Sequence, residues 1–278
     1  MVIGVVGAGT MGAGIALAFA LSGEHSVILT DLDLSLAKLG KERVRDKLGK
    51  LVSKGKIDPA LAEEALDRVK VDNIEALSAC DLALEAIIER LEDKRRLFAK
   101  LMGLCPKRAI FASNASSISM AKIGEGLDRP VVGVHFFNPA ETMPLVEIVA
   151  APEAPGELLE ELKALARSIG KTPVEVSDSP GFVVNRLLIP MINEAASLLA
   201  DKVASAEDID TAMRLGANHP MGPLALADLI GLDVCLSILE TLRDDLKDEK
   251  YRPHPLLREK VSEGSLGRKA GRGFFQYG

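Results

Sequence analysis

The sequence has no tryptophan, two tyrosines, four histidines and only three cysteines. Cys80, Cys105 and Cys235 are odd in number, far apart and without metal-ligand spacing. They suit reduced, buried thiols, so neither a disulfide framework nor a metal site is expected. Long apolar runs are also missing, which excludes a membrane-spanning helix. Positive charge is in deficit: 34 Lys and Arg against 40 Asp and Glu give a net charge of −6, the wrong sign for a dedicated nucleic-acid binder. The first apolar run begins at Val2, leaving no room for a leader peptide, so the expected location is cytoplasmic. Hydrophobic residues make up 47% of 278, enough for a sizeable core in one large and one small domain.

What the chain does have is alternation. Short β-rich runs at residues 2–6, 26–30, 81–85, 109–113, 131–134, 145–149 and 173–177 are separated mostly by helical patterns. That order predicts a mostly parallel sheet covered on its faces. Residues 34–68 are too long for a simple crossover. Leu36, Leu39, Val44, Leu48 and Leu51 recur at helical spacing before Asp58-Pro59, so an αα-hairpin is expected between the second and third strands. After Ser179-Pro180-Gly181 the β-rich runs stop. Helices are expected over 182–199, 205–215 (with Gly216 as C-terminal cap) and about 223–246. The predicted domains are 1–180 and 181–278.

Gly7-Ala8-Gly9-Thr10-Met11-Gly12 follows the first strand and opens a helix. The first glycine permits the tight turn, the second lets a pyrophosphate approach the backbone, and the third lets the helix pack against the strand. The free N–H groups of the helix start hold the phosphate charge. Asp31 ends the second strand about 20 residues further on, where a carboxylate holds a ribose 2′-hydroxyl. An ordinary βα turn with a solvated Asp is the plainer alternative. The same Asp favours NAD over NADP, because it repels a 2′-phosphate and no Arg stands at 32–34 to accept one.

His135 lies at the end of a β-run, and Glu147 lies inside the next one between apolar neighbours. A carboxylate buried in such a run needs a partner. Paired with His135, it would fix the imidazole tautomer and stabilise its protonated form, as an acid/base in alcohol oxidation requires. Two plainer readings stand beside this one: a satisfied core histidine, and a Glu147 salt bridge to some Lys or Arg.

His135-Phe136-Phe137-Asn138-Pro139, with Met143 and Leu145-Val146-Glu147, resembles the signature of the short-chain L-3-hydroxyacyl-CoA dehydrogenases. The resemblance continues through the glycine motif, Glu85-Ala86-Ile87-Ile88-Glu89, Ala112-Ser113-Asn114-Ala115-Ser116-Ser117, Gly181-Phe182-Val183-Val184-Asn185-Arg186, Pro220-Met221-Gly222-Pro223 and Gly271-Arg272-Gly273-Phe274-Phe275. It implies a Rossmann-type NAD-binding domain and a smaller all-α domain for substrate binding and dimerisation. The implied activity is NAD-dependent interconversion of (S)-3-hydroxyacyl-CoA and 3-oxoacyl-CoA with short acyl chains. In that resemblance His135 is the general base and Glu147 orients it. Ser116 and Asn185 hold the substrate oxygen, while Glu89, Lys94 and Asn114 line the cofactor with Gly7, Gly9, Thr10, Met11, Gly12 and Asp31. For Ser116 and Asn114 the plainer alternative is a turn role, and for Lys94 an exposed pairing with Glu89 on a helix face. Ala115 stands where the family usually has Thr, and Arg90 where Asn is frequent.

Lys38, Lys41, Arg43, Arg45, Lys47, Lys50, Lys54 and Lys56 make the hairpin basic within an acidic chain. Such a run is usually a solvated face. The resemblance places the coenzyme A nucleotide there, with Lys54 as the phosphate contact. The expected partners are an acyl-CoA substrate and a second copy of the chain. Two other functions stand beside this one: a related dehydrogenase of a free hydroxy acid or carnitine, and a non-catalytic NAD-binding protein.

Overall fold

A computed structural model describes all residues, Met1–Gly278, as two compact units, Met1–Asp178 and Ser179–Gly278. The first unit runs β1 (Val2–Val6), α1 (Thr10–Leu21), β2 (Ser26–Thr30), α2 (Leu34–Ser53), α3 (Pro59–Arg68) and β3 (Val69–Val71). It continues with β4 (Leu82–Glu85), α4 (Leu91–Leu104), β5 (Ile110–Ser113), α5 (Met120–Gly124), β6 (Val131–Phe136), β7 (Leu145–Ala150), α6 (Gly156–Ser168) and β8 (Thr172–Ser177). The strands form one sheet in the order β3-β2-β1-β4-β5-β6-β7-β8. All neighbours are parallel except β6 and β7.

The strand at 69–71 is missing from the sequence expectation. It is three residues long and sits at the sheet edge, so it carries too little apolar pattern to stand out. The αα-hairpin of α2 and α3 leads directly into it. Asp33 caps α2 by accepting the Ser35 and Leu36 N–H groups, and Asp58 caps α3 ahead of Pro59. α2 buries the helical stripe Ala37, Gly40, Val44 and Leu48. A Cβ on Gly40 would stand 2.9 Å from the Ala8 carbonyl, so the hairpin crosses directly against the glycine turn. Arg43 reinforces that approach by donating to the same carbonyl at 3.1 Å. α1 is buried from Gly12 to Ala20 with no polar face, as a helix enclosed by sheet and hairpin must be.

The second unit contains α7 (Val184–Ala200), α8 (Ala206–Gly216), α9 (Pro223–Ile230), α10 (Leu232–Leu246) and α11 (Pro255–Ser262). Ile189, Ile192, Leu232, Cys235, Leu239 and Leu242 belong to its core. The span expected as one helix is two, divided at Gly231, whose φ of 109° no L-residue adopts comfortably. Gly216 is the last residue of α8 rather than its cap; Ala217 caps it and Asn218 takes the positive φ. Two buried aspartates explain motifs that the sequence shows only as strings. Asp210 accepts the Leu224 and Ala225 N–H groups at the start of α9, against Gly222. Asp228 accepts from Phe274 N, Phe275 N and the Tyr277 hydroxyl, fastening the chain's last motif. No helix of the chain is long and apolar enough to cross a membrane.

Candidate active site

The glycine turn joins β1 to α1 at the carboxyl edge of the sheet. Gly7 has φ 103°, and a Cβ there would stand 2.5 Å from the Ala86 carbonyl. A Cβ on Gly12 would collide with the Gly7 carbonyl. Both glycines are therefore required by the fold. Gly9 is different, because a Cβ there meets no protein atom within 4 Å. Its bare backbone opens onto space at the start of α1, which no side chain caps. Thr10, Met11 and Gly12 form the first turn, where unsatisfied N–H groups and the helix dipole favour an anion. Asp31 borders this turn: one carboxylate oxygen accepts Ala8 N at 2.6 Å and the other accepts Leu32 N at 2.7 Å. These residues fit the pyrophosphate and ribose hydroxyl of a dinucleotide.

Beside β1, the end of β4 carries a charged network. The Lys94 side chain, on the first turn of α4, is only 1% exposed. Its ammonium lies 2.6 Å from Glu85 and 3.2 Å from Glu89. Glu85 also accepts the Ser113 hydroxyl at 2.6 Å and Ile87 N at 2.7 Å. Burial pushes the Glu85 carboxyl above its ordinary range, against the pull of Lys94 and these donors. At Glu89 burial acts in the same direction, but Lys94 and the Ser116 and Ser117 N–H groups outweigh it and leave the carboxyl below its usual range. Glu89 thus organises the loop after β5, accepting Ser116 N at 2.7 Å and Ser117 N at 3.1 Å. Lys94 does pair with Glu89, as its plainer alternative supposed, yet the ammonium is buried and only Glu89 is partly exposed. It reaches the site through Glu89.

His135 and Glu147 are direct cross-strand partners in the antiparallel β6–β7 pair. Side chains of opposed residues share one face of the sheet, so this register brings the two groups together. His135 Nδ1 and Glu147 Oε2 are 2.8 Å apart, and both side chains are buried. The Phe137 ring lies 4.5 Å from the imidazole centre. Asn114 supports the same strand end by accepting Phe136 N at 2.8 Å through its side-chain oxygen. The loop after β6 is held from the hairpin side, where Lys47 of α2 binds both oxygens of Glu141 at 2.7 and 2.9 Å. Sequence reasoning missed Glu141, and also Glu85 as the inner partner of Lys94. A lone Glu ending an apolar strand, nine residues before a Lys, was the available signal for the latter.

The structure therefore gathers Gly7, Gly9, Thr10, Met11, Gly12, Asp31, Glu89, Asn114, Ser116, His135 and Glu147 along one sheet edge. Lys54 stands apart, exposed at the C-terminal cap of α2. Asn185 belongs to the second unit, buried in the first turn of α7.

Residues 2–179 match the family model of the 3-hydroxyacyl-CoA dehydrogenase NAD-binding domain, and 181–277 match the C-terminal domain of the same family. The 3-hydroxybutyryl-CoA dehydrogenase of Clostridioides difficile is 47% identical, covering 100% of this chain and 99% of its own. That of Bradyrhizobium diazoefficiens is 44% identical over 99% of this chain and 94% of its own. The crystal structure of (S)-3-hydroxybutyryl-CoA dehydrogenase from Ralstonia eutropha superposes with a TM-score of 0.94 at 43% identity, covering 100% of this chain and 99% of its own. The chain belongs to the 3-hydroxyacyl-CoA dehydrogenase family.

Proposed function

We propose that this protein is an NAD-dependent oxidoreductase that interconverts (S)-3-hydroxyacyl-CoA and 3-oxoacyl-CoA esters of short chain length, 3-hydroxybutyryl-CoA among them. The observation that carries the reading is the buried His135–Glu147 pair on the same sheet edge as a glycine turn that is open at Gly9. Bound NAD supplies the hydride acceptor in oxidation and, when reduced, the donor. With Nδ1 held by Glu147, His135 exchanges the proton of the substrate 3-hydroxyl at Nε2. Glu147 would stabilise the imidazolium that results, favouring loss of the hydroxyl proton as the carbinol is oxidised. Ser116 hydrogen-bonds the substrate oxygen, and Glu89 keeps the Ser116 loop in place for that role. Asp31 selects the 2′-hydroxyl of NAD.

Support for a CoA ester comes from the names of the full-length relatives and from exposed lysines on α2, including Lys54 at its end. In this reading the second unit binds substrate and pairs with a second copy of the chain. Val183, Leu187, Val203 and Leu215 there are exposed apolar side chains of the kind a partner covers. Free cysteines accord with a reducing, cytoplasmic compartment. Steady-state oxidation of NADH with acetoacetyl-CoA, compared with free acetoacetate and with NADPH, tests the assignment. The proposal expects the CoA ester and NADH to be preferred. Equal rates on the free acid would overturn the CoA assignment.

A further inference from the structure

At the opposite, amino edge of the sheet, Cys80 and Cys105 place their sulfurs 3.8 Å apart, with the Cys80 thiol donating to Cys105. The fold makes this meeting. Cys80 closes the 3₁₀ turn at Ile74–Ala79, two residues before β4, and Cys105 caps the end of α4, before the chain returns to β5. Because β4 and β5 are parallel neighbours, paired at Leu82 and Ile110, the entry to one strand lies beside the helix end that leads to the other. Both cysteines have extended backbones, φ −78° with ψ 151° and 152°. Neither contributes to the chemistry proposed for His135 and Glu147.

The two thiols are unequal. Cys80 is fully buried, whereas Cys105 is 7% exposed. The hydrogen bond from Cys80 draws the Cys105 thiol below its ordinary range; burial opposes this and the Arg129 guanidinium adds to it. Donating that bond, together with burial, pushes Cys80 up. Arg129 is fixed for its part by the Pro106 carbonyl at 2.8 Å and by the Phe111 ring at 4.7 Å. Cys105, the more exposed sulfur and the one beside the Arg129 guanidinium, is therefore the nucleophile in its thiolate form, and Cys80 the resolving thiol. Cys235, wholly buried in the second unit and pushed up to about 12 mainly by burial, serves as an internal control.

We propose that Cys80 and Cys105 form a peroxide-responsive dithiol that closes to an intrachain disulfide, a modification site at the sheet edge opposite the hydride chemistry. The Cys105 thiolate attacks one oxygen of a hydroperoxide, the O–O bond breaks, and Cys105 becomes a sulfenic acid as the other oxygen leaves as water or alcohol. The Cys80 sulfur then attacks the sulfenic sulfur, its proton goes to the departing hydroxide, and the S–S bond forms with release of water. Two thiols are oxidised by two electrons and one peroxide is reduced. The sulfurs, 3.8 Å apart, must close by about 1.8 Å to reach bonding distance.

The test treats the folded, full-length protein with hydrogen peroxide, quenches it, alkylates it in denaturant and maps the peptides. The expected result is loss of two of the three alkylatable thiols, a Cys80–Cys105 linked peptide, an alkylated Cys235 and full reversal by dithiothreitol. In Cys80→Ser the sulfenic acid at Cys105 persists and is trapped by dimedone; in Cys105→Ser, Cys80 reacts no faster than Cys235. Three thiols left free at peroxide levels that oxidise glutathione, or a bridge to Cys235 or to another chain, would overturn the proposal on the wild-type protein alone.

Discussion

The two edges of the sheet both carry polar side chains but use them differently. At the amino edge they fasten the chain as it enters the strands. Asp81 accepts Val2 N at 2.8 Å and pairs with Arg108 at 3.1 Å, while Arg129 holds the Pro106 carbonyl ahead of β5. At the carboxyl edge some of the groups have no structural task. Gly9 has no reason within the protein to lack a side chain, and His135 faces Glu147 in a sheet that apolar residues would fill at least as well. A parallel sheet permits this division, because its loops at the carboxyl ends converge where ligands bind.

The largest break in the comparison should come from Glu147→Gln. The amide keeps the shape of the pair but no longer selects the imidazole tautomer or stabilises its cation. Turnover of acetoacetyl-CoA should fall on the order of 10²-fold or more, with little change in melting temperature. Next comes Lys94→Met, which strands the buried Glu85 carboxylate, and the partly exposed Glu89, without their cation. Urea unfolding should show a loss of about 3–5 kcal/mol, partly recovered by adding Glu85→Gln. A small loss would mean that the network is solvated and that Lys94 faces the site directly. Gly9→Ala sharpens the contrast further. It should weaken NADH binding, read by fluorescence titration, by roughly tenfold or more, while stability stays within about 1 kcal/mol. Equal damage to both would show that Gly9 serves the fold.

The smallest effect belongs to the amino edge. The Val2 N–H and Arg108 hold the Asp81 carboxyl below its ordinary range, burial opposing them. A carboxylate with a depressed native pKa adds stability above its unfolded value, near pH 4, and loses it as pH falls through the native value. Asp81→Asn should therefore cost about 1 kcal/mol at pH 7 with turnover unchanged, and the gap between variant and wild type should shrink below about pH 4. A gap that does not shrink at all as the pH falls below that value would contradict the assignment.

Much of the carboxyl edge was legible in the sequence, because its parts have distinct local signatures. The glycine spacing marks one turn, Asp31 marks a strand end, and Glu147 is an ionisable residue inside an apolar run. What the sequence hides is register. Nothing in residues 131–150 alone says that β7 runs antiparallel to β6, yet that reversal sets Glu147 opposite His135. The Glu85–Lys94–Glu89 network was only half visible, since its inner carboxylate looks like the last residue of a strand until α4 folds back over it. Short elements were hardest to see. Three residues of β3 are stabilised by pairing with β2 rather than by a pattern of their own. In the second unit, Asp210 and Asp228 look like surface acids until the helix start and chain end that they bind are brought to them.

The proposed role of His135 is to exchange the proton in an NAD-dependent oxidation of 3-hydroxyacyl-CoA. Its most direct test is the turnover of His135→Gln with acetoacetyl-CoA and NADH, measured beside NADH affinity by fluorescence. NADH binding should be unchanged and turnover reduced about 10²–10⁴-fold. Turnover near that of the wild type would contradict it.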